Sequence, residues 1–444
     1  MMKGPALSLS LAAAAGILAA GGAWFFQSRD RPIVAPSPAR FDARALILAV
    51  NDGHESIDAK IAALQERIRQ AHDPRLIEEL GWLFVSKARI ANDPGFYKLA
   101  EQCALLNEAA EPDRPDALLL RGHSLEAMHR FHDAETIARR LVARRAFVLD
   151  HALLGDALME QGRLDEAVTA YQQMVDLKPC LQAYTRIAHV RWLKGDLEGA
   201  LEMTALAVTA GNARDPEPLA WALTKLAVYR MEKGEIAAVD AVLERAFRLV
   251  PDYAPALLQR GRLLLAQDRA AEAVAPLREA VRRKPLPDFQ WTFIEALRTA
   301  GQGKEAVAME TDLRAHGAAQ DPRTFSLFLS TRGERADEAL RLAEEELTVR
   351  RDVFTYDALA WACRATGRIA QAQSYSRLAL AEGTSDARLH FHAGMIAAAA
   401  DDRDASSLLR AADAKRQMLL PSERAALAQT LALLTSSGPQ LSQQ

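Results

Sequence analysis

The chain has 444 residues, half of them hydrophobic, and a formal net charge of −3 at pH 7. The length exceeds that of an ordinary single domain, and the small net charge, without any basic stripe, argues against a nucleic-acid-binding surface. Ala and Leu dominate the apolar residues and β-branched runs are scarce, so the composition predicts an all-α protein.

The first predicted element is an apolar stretch from Ala6 to Phe26. About 21 helical residues reach about 30 Å, the thickness of the hydrocarbon core of a bilayer. We therefore expect residues 1–28 to be a signal anchor that crosses the membrane once, with the rest of the chain outside the cytoplasm. The alternative is a signal peptide that is cleaved after Ala23, and both interpretations send the chain to the secretory route.

Three further segments follow from the composition. Residues 29–45 are rich in proline and are predicted to form an extended linker. The stretch 46–435 is predicted to be a continuous helical array, and its first helix, with an apolar face from Ile61 to Ile68, is expected to cap it. The polar end, residues 436–444, is predicted to be disordered.

The clearest pattern in the array is a pair of short amphipathic helices in residues 148–181. Their apolar residues follow the period of 3.6 that is typical of a helix. Gly162 supplies the left-handed residue that ends the first helix, and Pro179 stops the second. Gly155 and Ala167 are small, which allows the two helix backbones to approach closely.

This pair resembles the tetratricopeptide repeat, which has small residues at positions eight and twenty, an aromatic residue at twenty-four and proline at thirty-two. With Val148 as position one, Gly155, Ala167, Tyr171 and Pro179 occupy these positions. Related copies recur from about residue 74 to the last helix. The resemblance implies a right-handed α-solenoid of about ten helix-turn-helix repeats, preceded by one transmembrane helix, as in anchored repeat proteins of the bacterial cell envelope.

Two of the copies are degenerate. They open near Pro287 and Pro322, and Ile294 and Ser326 replace their first small residue. The resemblance implies that every pair buries the apolar face of its neighbour and that the stack winds into a superhelix with a concave face.

In the family, the concave face is lined mainly by positions two, five, nine and twelve of each first helix. In this chain those positions carry all five tryptophans beyond residue 28, together with several charged residues and one histidine. We expect these residues to form a binding groove whose indoles grip apolar side chains of a bound segment. The alternative is that the tryptophans only fill interfaces between first helices. The predicted groove residues are Trp82, Trp192, Trp221, Trp291, Trp361, His189, Arg262, Arg298, Arg364 and Asp357.

The same positions contain neither Asn nor Lys, which argues against the capture of a free C-terminal carboxylate known from some relatives. Histidines give no metal site, because His390 and His392 point apart on a helix while His129 and His132 flank a turn. The three cysteines are far apart and are expected to remain free thiols: Cys103, Cys180 and Cys363.

No catalytic motif occurs in the sequence, and Gly301–Lys304 lies in a helix-turn-helix context rather than in a phosphate-binding loop. We therefore expect a protein without enzymatic activity, metal or cofactor. The leading hypothesis is a membrane-anchored scaffold that captures segments of other proteins for the assembly of envelope complexes. Its partners are then proteins and, through the N-terminal helix, the membrane, but not nucleic acid. The alternatives are a structural or oligomerisation spacer, or a regulatory subunit of an enzyme complex encoded elsewhere.

Overall fold

The computed structural model describes residues 42–50, 53, 55–71, 73–91 and 93–436. Most of these residues are helical, and no strand occurs among them. The predicted membrane anchor and the polar tail beyond residue 436 lie outside the described residues. Within them, none of the helices combines the length and the apolar character that a membrane span requires.

The chain divides into two units, residues 1–49 and 50–444. The first contains one described helix, α1 (Ala43–Ile47), which begins inside the predicted linker and is capped by the Asp42 carboxylate. The second opens with α2 (Ser56–Gln70), whose buried face includes Ile61, Leu64 and Ile68 as expected.

Twenty helices of the larger unit then form ten consecutive pairs, in agreement with the predicted number. The pairs are α3–α4 (Pro74–Ala91, Gly95–Ala110), α5–α6 (Pro115–Ala127, Phe131–Arg144), α7–α8 (Val148–Glu160, Leu164–Leu177), α9–α10 (Leu181–Leu193, Leu197–Ala210), α11–α12 (Pro216–Lys233, Ile236–Leu249), α13–α14 (Ala254–Ala266, Ala270–Arg283), α15–α16 (Pro287–Thr299, Gly303–Gln320), α17–α18 (Pro322–Arg332, Ala336–Leu347), α19–α20 (Val353–Ala365, Ile369–Ala379) and α21–α22 (Ala387–Ala399, Ala405–Asp413). A short 3₁₀ turn, Arg416–Met418, and α23 (Pro421–Ser436) follow.

The repeat residues act within each pair as the sequence indicates. A Cβ on Gly155 would clash with the ring of Tyr171, so only glycine lets α7 and α8 approach this closely. In the degenerate pair α17–α18 the Ser326 hydroxyl donates a hydrogen bond of 2.7 Å to the Ala339 carbonyl, which satisfies this buried polar group where the helices meet.

The superhelix is wound so tightly that one turn contacts the next. Three hydrogen bonds join segments separated by an almost constant 186 to 191 residues: Arg351 N–H to the Glu160 carbonyl (3.0 Å), Lys194 Nζ to the Glu382 carboxylate (3.2 Å) and Gln417 Nε2 to the Met231 carbonyl (3.1 Å). Because one repeat spans about 34 residues, this offset corresponds to about five to six helix pairs per turn. We refer to these contacts as the inter-turn seam. Gly162 lies in it, with a φ of 75° and without room for a Cβ beside the Arg351 carbonyl.

The C-terminal segment, residues 415–436, packs back against the first helices α11, α13, α15 and α21. Lys415 Nζ donates to the Glu232 carboxylate at 2.6 Å. The Ser422 hydroxyl donates to the Glu295 carboxylate at 2.8 Å. The first helices α15, α17, α19 and α21 are buried on most of their circumference, and two of them, α15 and α21, contact the C-terminal segment.

Candidate functional site: a groove on the first six helix pairs

The concave face remains open over the first six pairs, where it forms a groove of about 1140 Å³. The groove is lined by the first helices α3, α5, α7, α9 and α11, and by residues 250–255 and 282–284 at one end. We refer to this surface as the groove. Its walls are helices fixed by the repeat packing, so the surface exists before any ligand binds.

Three of the predicted residues, Trp82, His189 and Trp221, line the groove. The Trp82 ring lies 5.6 Å from the ring of His123, measured between centroids. Trp221 has 36% of its surface exposed, which is unusual for so large an apolar side chain. The groove therefore presents two indoles to a ligand, one on α3 and one on α11.

The other three tryptophans are buried, with exposed fractions of 8% for Trp192, 1% for Trp291 and 4% for Trp361. The prediction that they line an open groove is wrong, and the alternative of interface filling describes them. Trp192 is covered across the inter-turn seam by Phe354, whose ring lies 6.1 Å away, and its indole N–H donates to Glu232 at 2.6 Å.

The remaining two indoles belong to the filled C-terminal half. Trp361 stacks on His392 with 4.1 Å between ring centroids, and its N–H donates to the Thr331 hydroxyl at 2.9 Å. Trp291 lies beneath the Arg388 guanidinium, 5.0 Å from its ring centroid. Both rings act as core residues of the second superhelical turn.

The predicted charged residues are likewise engaged within the protein and do not line the groove. Asp357 is buried and accepts hydrogen bonds from His392 Nδ1 at 2.9 and 3.0 Å. Arg364 lies over the Trp361 ring at 4.7 Å. The two other arginines donate to carboxylates of neighbouring helices: Arg262 to Asp288 (2.6 Å) and Arg298 to Glu310 (2.6 Å). Asp357, Arg262 and Arg298 are thus paired with groups of neighbouring helices, and Arg364 packs on an indole of its own helix.

Lys225 lines the groove, although the repeat positions did not predict it. Its ammonium lies 5.5 Å from the centroid of the Trp221 ring. Burial lowers the pKa of Lys225, and the nearby Arg262 charge lowers it further. The available signal was its spacing of four residues from Trp221, which places both side chains on one helix face.

His189 adds a neutral polar group beside Lys225. Burial lowers the pKa of His189 to about 4, helped by the Lys225 charge. The imidazole is therefore uncharged at neutral pH, and its ring stacks on Trp192 at 5.6 Å. Next to it, Asp156 accepts a hydrogen bond from the Tyr171 hydroxyl at 2.7 Å and forms an ion pair with Arg186.

Metal and thiol chemistry find no support in the part of the chain that the structure describes. Within it, no group of three or more His, Cys, Asp or Glu residues is placed to hold a metal ion. His129 is a left-handed turn residue with a φ of 60°. Cys103 and Cys363 are buried free thiols, and burial raises the pKa of both, for Cys363 to about 11. Such thiols are protonated and unreactive at neutral pH.

The groove carries charges of both signs, with six Lys or Arg residues and six Asp or Glu residues in its lining. Together with two indoles on rigid helices, this mixture suits the binding of a polymer segment with apolar and polar side chains. A negatively charged polymer such as RNA would meet as many carboxylates as cations, which does not favour it.

Three stretches of the sequence, residues 119–179, 152–215 and 224–286, match the family model described as tetratricopeptide repeat. No curated protein matches the sequence. Among solved structures, the chain is similar in fold to the human IFIT1 dimer with PPP-AAAA, with a TM-score of 0.47 and 14% identity over 70% of this chain and 73% of that one. It is also similar to yeast Tom70 (TM-score 0.32, 14% identity, 85% of this chain and 92% of that one) and to the MamA protein (TM-score 0.30, 17% identity, 38% and 92%).

Proposed function

Because the chain contains tetratricopeptide repeats, we propose that it is a non-catalytic scaffold for protein–protein interaction, which holds a segment of a partner protein in the groove. The observation that carries this proposal is the open concave surface over the first six pairs, with Trp82 and Trp221 on its walls. Binding to such a preformed surface avoids the entropic cost of ordering a flexible site.

The size of the groove supports a polymer ligand. Its volume of about 1140 Å³ exceeds the range of about 300–1,000 Å³ that is typical of small-molecule sites. The exposed indole of Trp221 is the type of side chain that most often dominates the energy of a protein interface. A helical or extended segment that places one apolar side chain there would gain most of its affinity from that contact.

We further propose that residues 1–28 anchor the protein in a membrane and that the groove serves the assembly of envelope complexes outside the cytoplasm. The support is the apolar run from Ala6 to Phe26 in the sequence. Sequencing the N-terminus of the protein recovered from membranes tests this directly. An intact Met1 in a carbonate-resistant membrane fraction is expected, and an N-terminus at Trp24 would contradict the anchor.

Photo-crosslinking tests the groove as the interaction site. A benzophenone amino acid is placed at Trp221 or at Trp82, and the matched control carries it at Leu378, which is 45% exposed on the second helix α20. The proposal predicts defined crosslinks to partner proteins from the two groove positions and none from position 378. Crosslinks from position 378 alone would contradict it and favour a structural spacer that binds through second helices.

A further inference from the structure

The charged groups that line the groove differ in whether they already have a partner. Most of the carboxylates do, and their partners lie within the protein: Asp156 with Arg186, Glu217 with the Tyr253 hydroxyl (2.8 Å), Asp252 with Arg283 (2.8 Å), Glu55 with Lys87 (3.1 Å) and Glu126 with His123 (3.4 Å). These groups gain little from a ligand because their interactions are already satisfied.

Lys225 is different. Within the described residues no carboxylate lies at ion-pair distance from its ammonium, and the charged group that acts on it is a second cation, Arg262. The His189 imidazole beside it is neutral at pH 7. Among the described residues, the favourable contact of the Lys225 ammonium is with the Trp221 ring, 5.5 Å from its centroid. Keeping the Lys225 charge in a partly desolvated site costs free energy, and a single cation–π contact offsets only part of it. An anionic group of a ligand would offset the rest.

We propose that Lys225 is a carboxylate-binding subsite of the groove: the bound partner segment places an Asp or Glu side chain on Lys225 and a neighbouring apolar side chain on the exposed face of Trp221. This inference rests on the proposed function of the groove. The anion needed is a single carboxylate, because one ammonium supplies one positive charge and the nearby Arg262 guanidinium is already paired with Asp288. A nucleic-acid backbone carries one negative charge per nucleotide, and most of these charges would meet no unpaired cation in a groove that has as many carboxylates as cations. A protein segment with one carboxylate therefore fits the groove better.

The subsite is specified by helix geometry. Lys225 and Trp221 lie one turn apart on α11, so their side chains point to the same side. Ligand residues three or four apart on a helix, or two apart in an extended segment, would reach both. A side-chain carboxylate is sufficient, and the ligand needs no free C-terminus.

The test is a selection of peptides on the full chain, followed by a double-mutant cycle. A phage library of random 12-residue peptides, displayed with blocked C-termini, is selected on the unaltered protein. The best peptide is synthesised with an amidated C-terminus and a fluorescent label. Its binding is measured for the unaltered protein, for Lys225→Gln and for the control Lys304→Gln, an exposed lysine of α16 without an ion pair in the described residues.

The expected result is an enrichment of Asp or Glu two to four residues away from an apolar residue in the selected peptides. Lys225→Gln then weakens binding about tenfold or more, and so does replacing the acidic residue of the peptide by its amide. The two losses should not add, because each removes the same ion pair. Lys304→Gln should bind as the unaltered protein does.

Three other outcomes overturn the inference in distinguishable ways. Peptides that bind without acidic residues, and that are weakened by Trp221→Ala but not by Lys225→Gln, would exclude the carboxylate subsite and leave the groove as a protein-binding site. Peptides insensitive to Trp221→Ala would contradict the proposed function as well. Tighter binding of a labelled 12-nucleotide single-stranded RNA, weakened by Lys225→Gln, would replace the carboxylate by a phosphate.

Discussion

The first six helix pairs and the last four are built from the same repeat, but their concave faces differ in how accessible they are to solvent. Over the first six, the inner face is open and Trp221 is 36% exposed. Over the last four, the first helices are buried against their neighbours and, at α15 and α21, against the C-terminal segment, and Trp291 is only 1% exposed. A first-helix tryptophan can therefore be accessible, as Trp221 is, or a core residue, as Trp291 is.

The comparison shows that the repeat alone does not determine the binding surface. The inter-turn seam and the C-terminal segment decide which first helices stay accessible. Glu232 illustrates this, because it is buried at the inter-turn seam. Its carboxylate accepts a hydrogen bond from the Trp192 indole of the same superhelical turn and another from Lys415, which lies almost one turn later. The C-terminal segment adds buried contacts to the second half, whereas the first half keeps an open groove.

The largest expected difference between the two halves is in tryptophan truncation. Trp291→Ala removes a fully buried indole and should lower the free energy of unfolding by about 3–5 kcal/mol. Trp221→Ala removes a partly exposed indole and should cost about 1 kcal/mol or less. Urea denaturation followed by circular dichroism measures both. Equal losses would mean that the two halves do not differ in packing.

The second prediction concerns the buried charge at the seam. Glu232→Gln leaves Lys415 without its anionic partner and should cost about 2–4 kcal/mol. Glu235→Gln is the matched control, because its ion pairs with Arg230 and Lys233 are solvent-exposed and it should change stability by about 0.5 kcal/mol or less. If both variants unfold at the same urea concentration as the unaltered protein, the seam does not stabilise the fold.

The third prediction is a pH dependence of the seam. Burial raises the pKa of Glu160 to about 7, although Arg350 Nε lies 2.9 Å from its carboxylate and opposes the shift. Asp352 and Glu126 add to the increase, and Arg323 opposes it. Since the folded protein holds this proton more tightly than the unfolded chain, the stabilisation is complete below about pH 4.5 and is lost as the pH rises through about 7.

Glu160→Gln removes this titration and provides the control. Between pH 5 and pH 8 the unaltered protein should lose about 1–3 kcal/mol more stability than the variant. Urea denaturation of both proteins at pH 5 and pH 8 gives the four free energies of unfolding from which this difference is calculated. A variant with the same pH profile as the unaltered protein would show that Glu160 does not titrate in this range.

The smallest expected effect lies in the groove. Lys225→Met removes a cation without a carboxylate partner and should raise the free energy of unfolding by about 0.5–1 kcal/mol in the absence of ligand. Lys304→Met, at an exposed position, should leave it within about 0.5 kcal/mol. A loss of stability in Lys225→Met would show that the ammonium already has a strong partner inside the protein.

The local fold could be predicted from the sequence because each pair is specified by neighbouring residues. Gly155, Ala167 and Tyr171 determine how α7 and α8 pack, and Gly162 ends the first helix of that pair. The number of pairs follows from repeating this pattern. The degenerate copies fold in the same way because Ser326 finds a backbone partner.

The candidate site was predicted only in part, for a geometric reason. Whether a first-helix indole is exposed can depend on residues one superhelical turn away, such as Phe354 for Trp192. These contacts depend on the pitch of the superhelix, the sum of small rotations between many repeats. Trp192 is therefore buried by Phe354, although nothing in its own repeat indicates this. Lys225 was missed because the family's groove positions exclude it, and its spacing from Trp221 was the only local signal.

The most direct test of the difference between the two halves is ¹⁹F NMR of the full chain labelled with 5-fluorotryptophan, with resonances assigned by single Trp→Phe variants. A soluble gadolinium chelate broadens signals near solvent. We expect strong broadening for Trp82 and Trp221, and sharp signals for Trp192, Trp291 and Trp361. Equal broadening of all five would contradict an open groove in the first half and a filled one in the second.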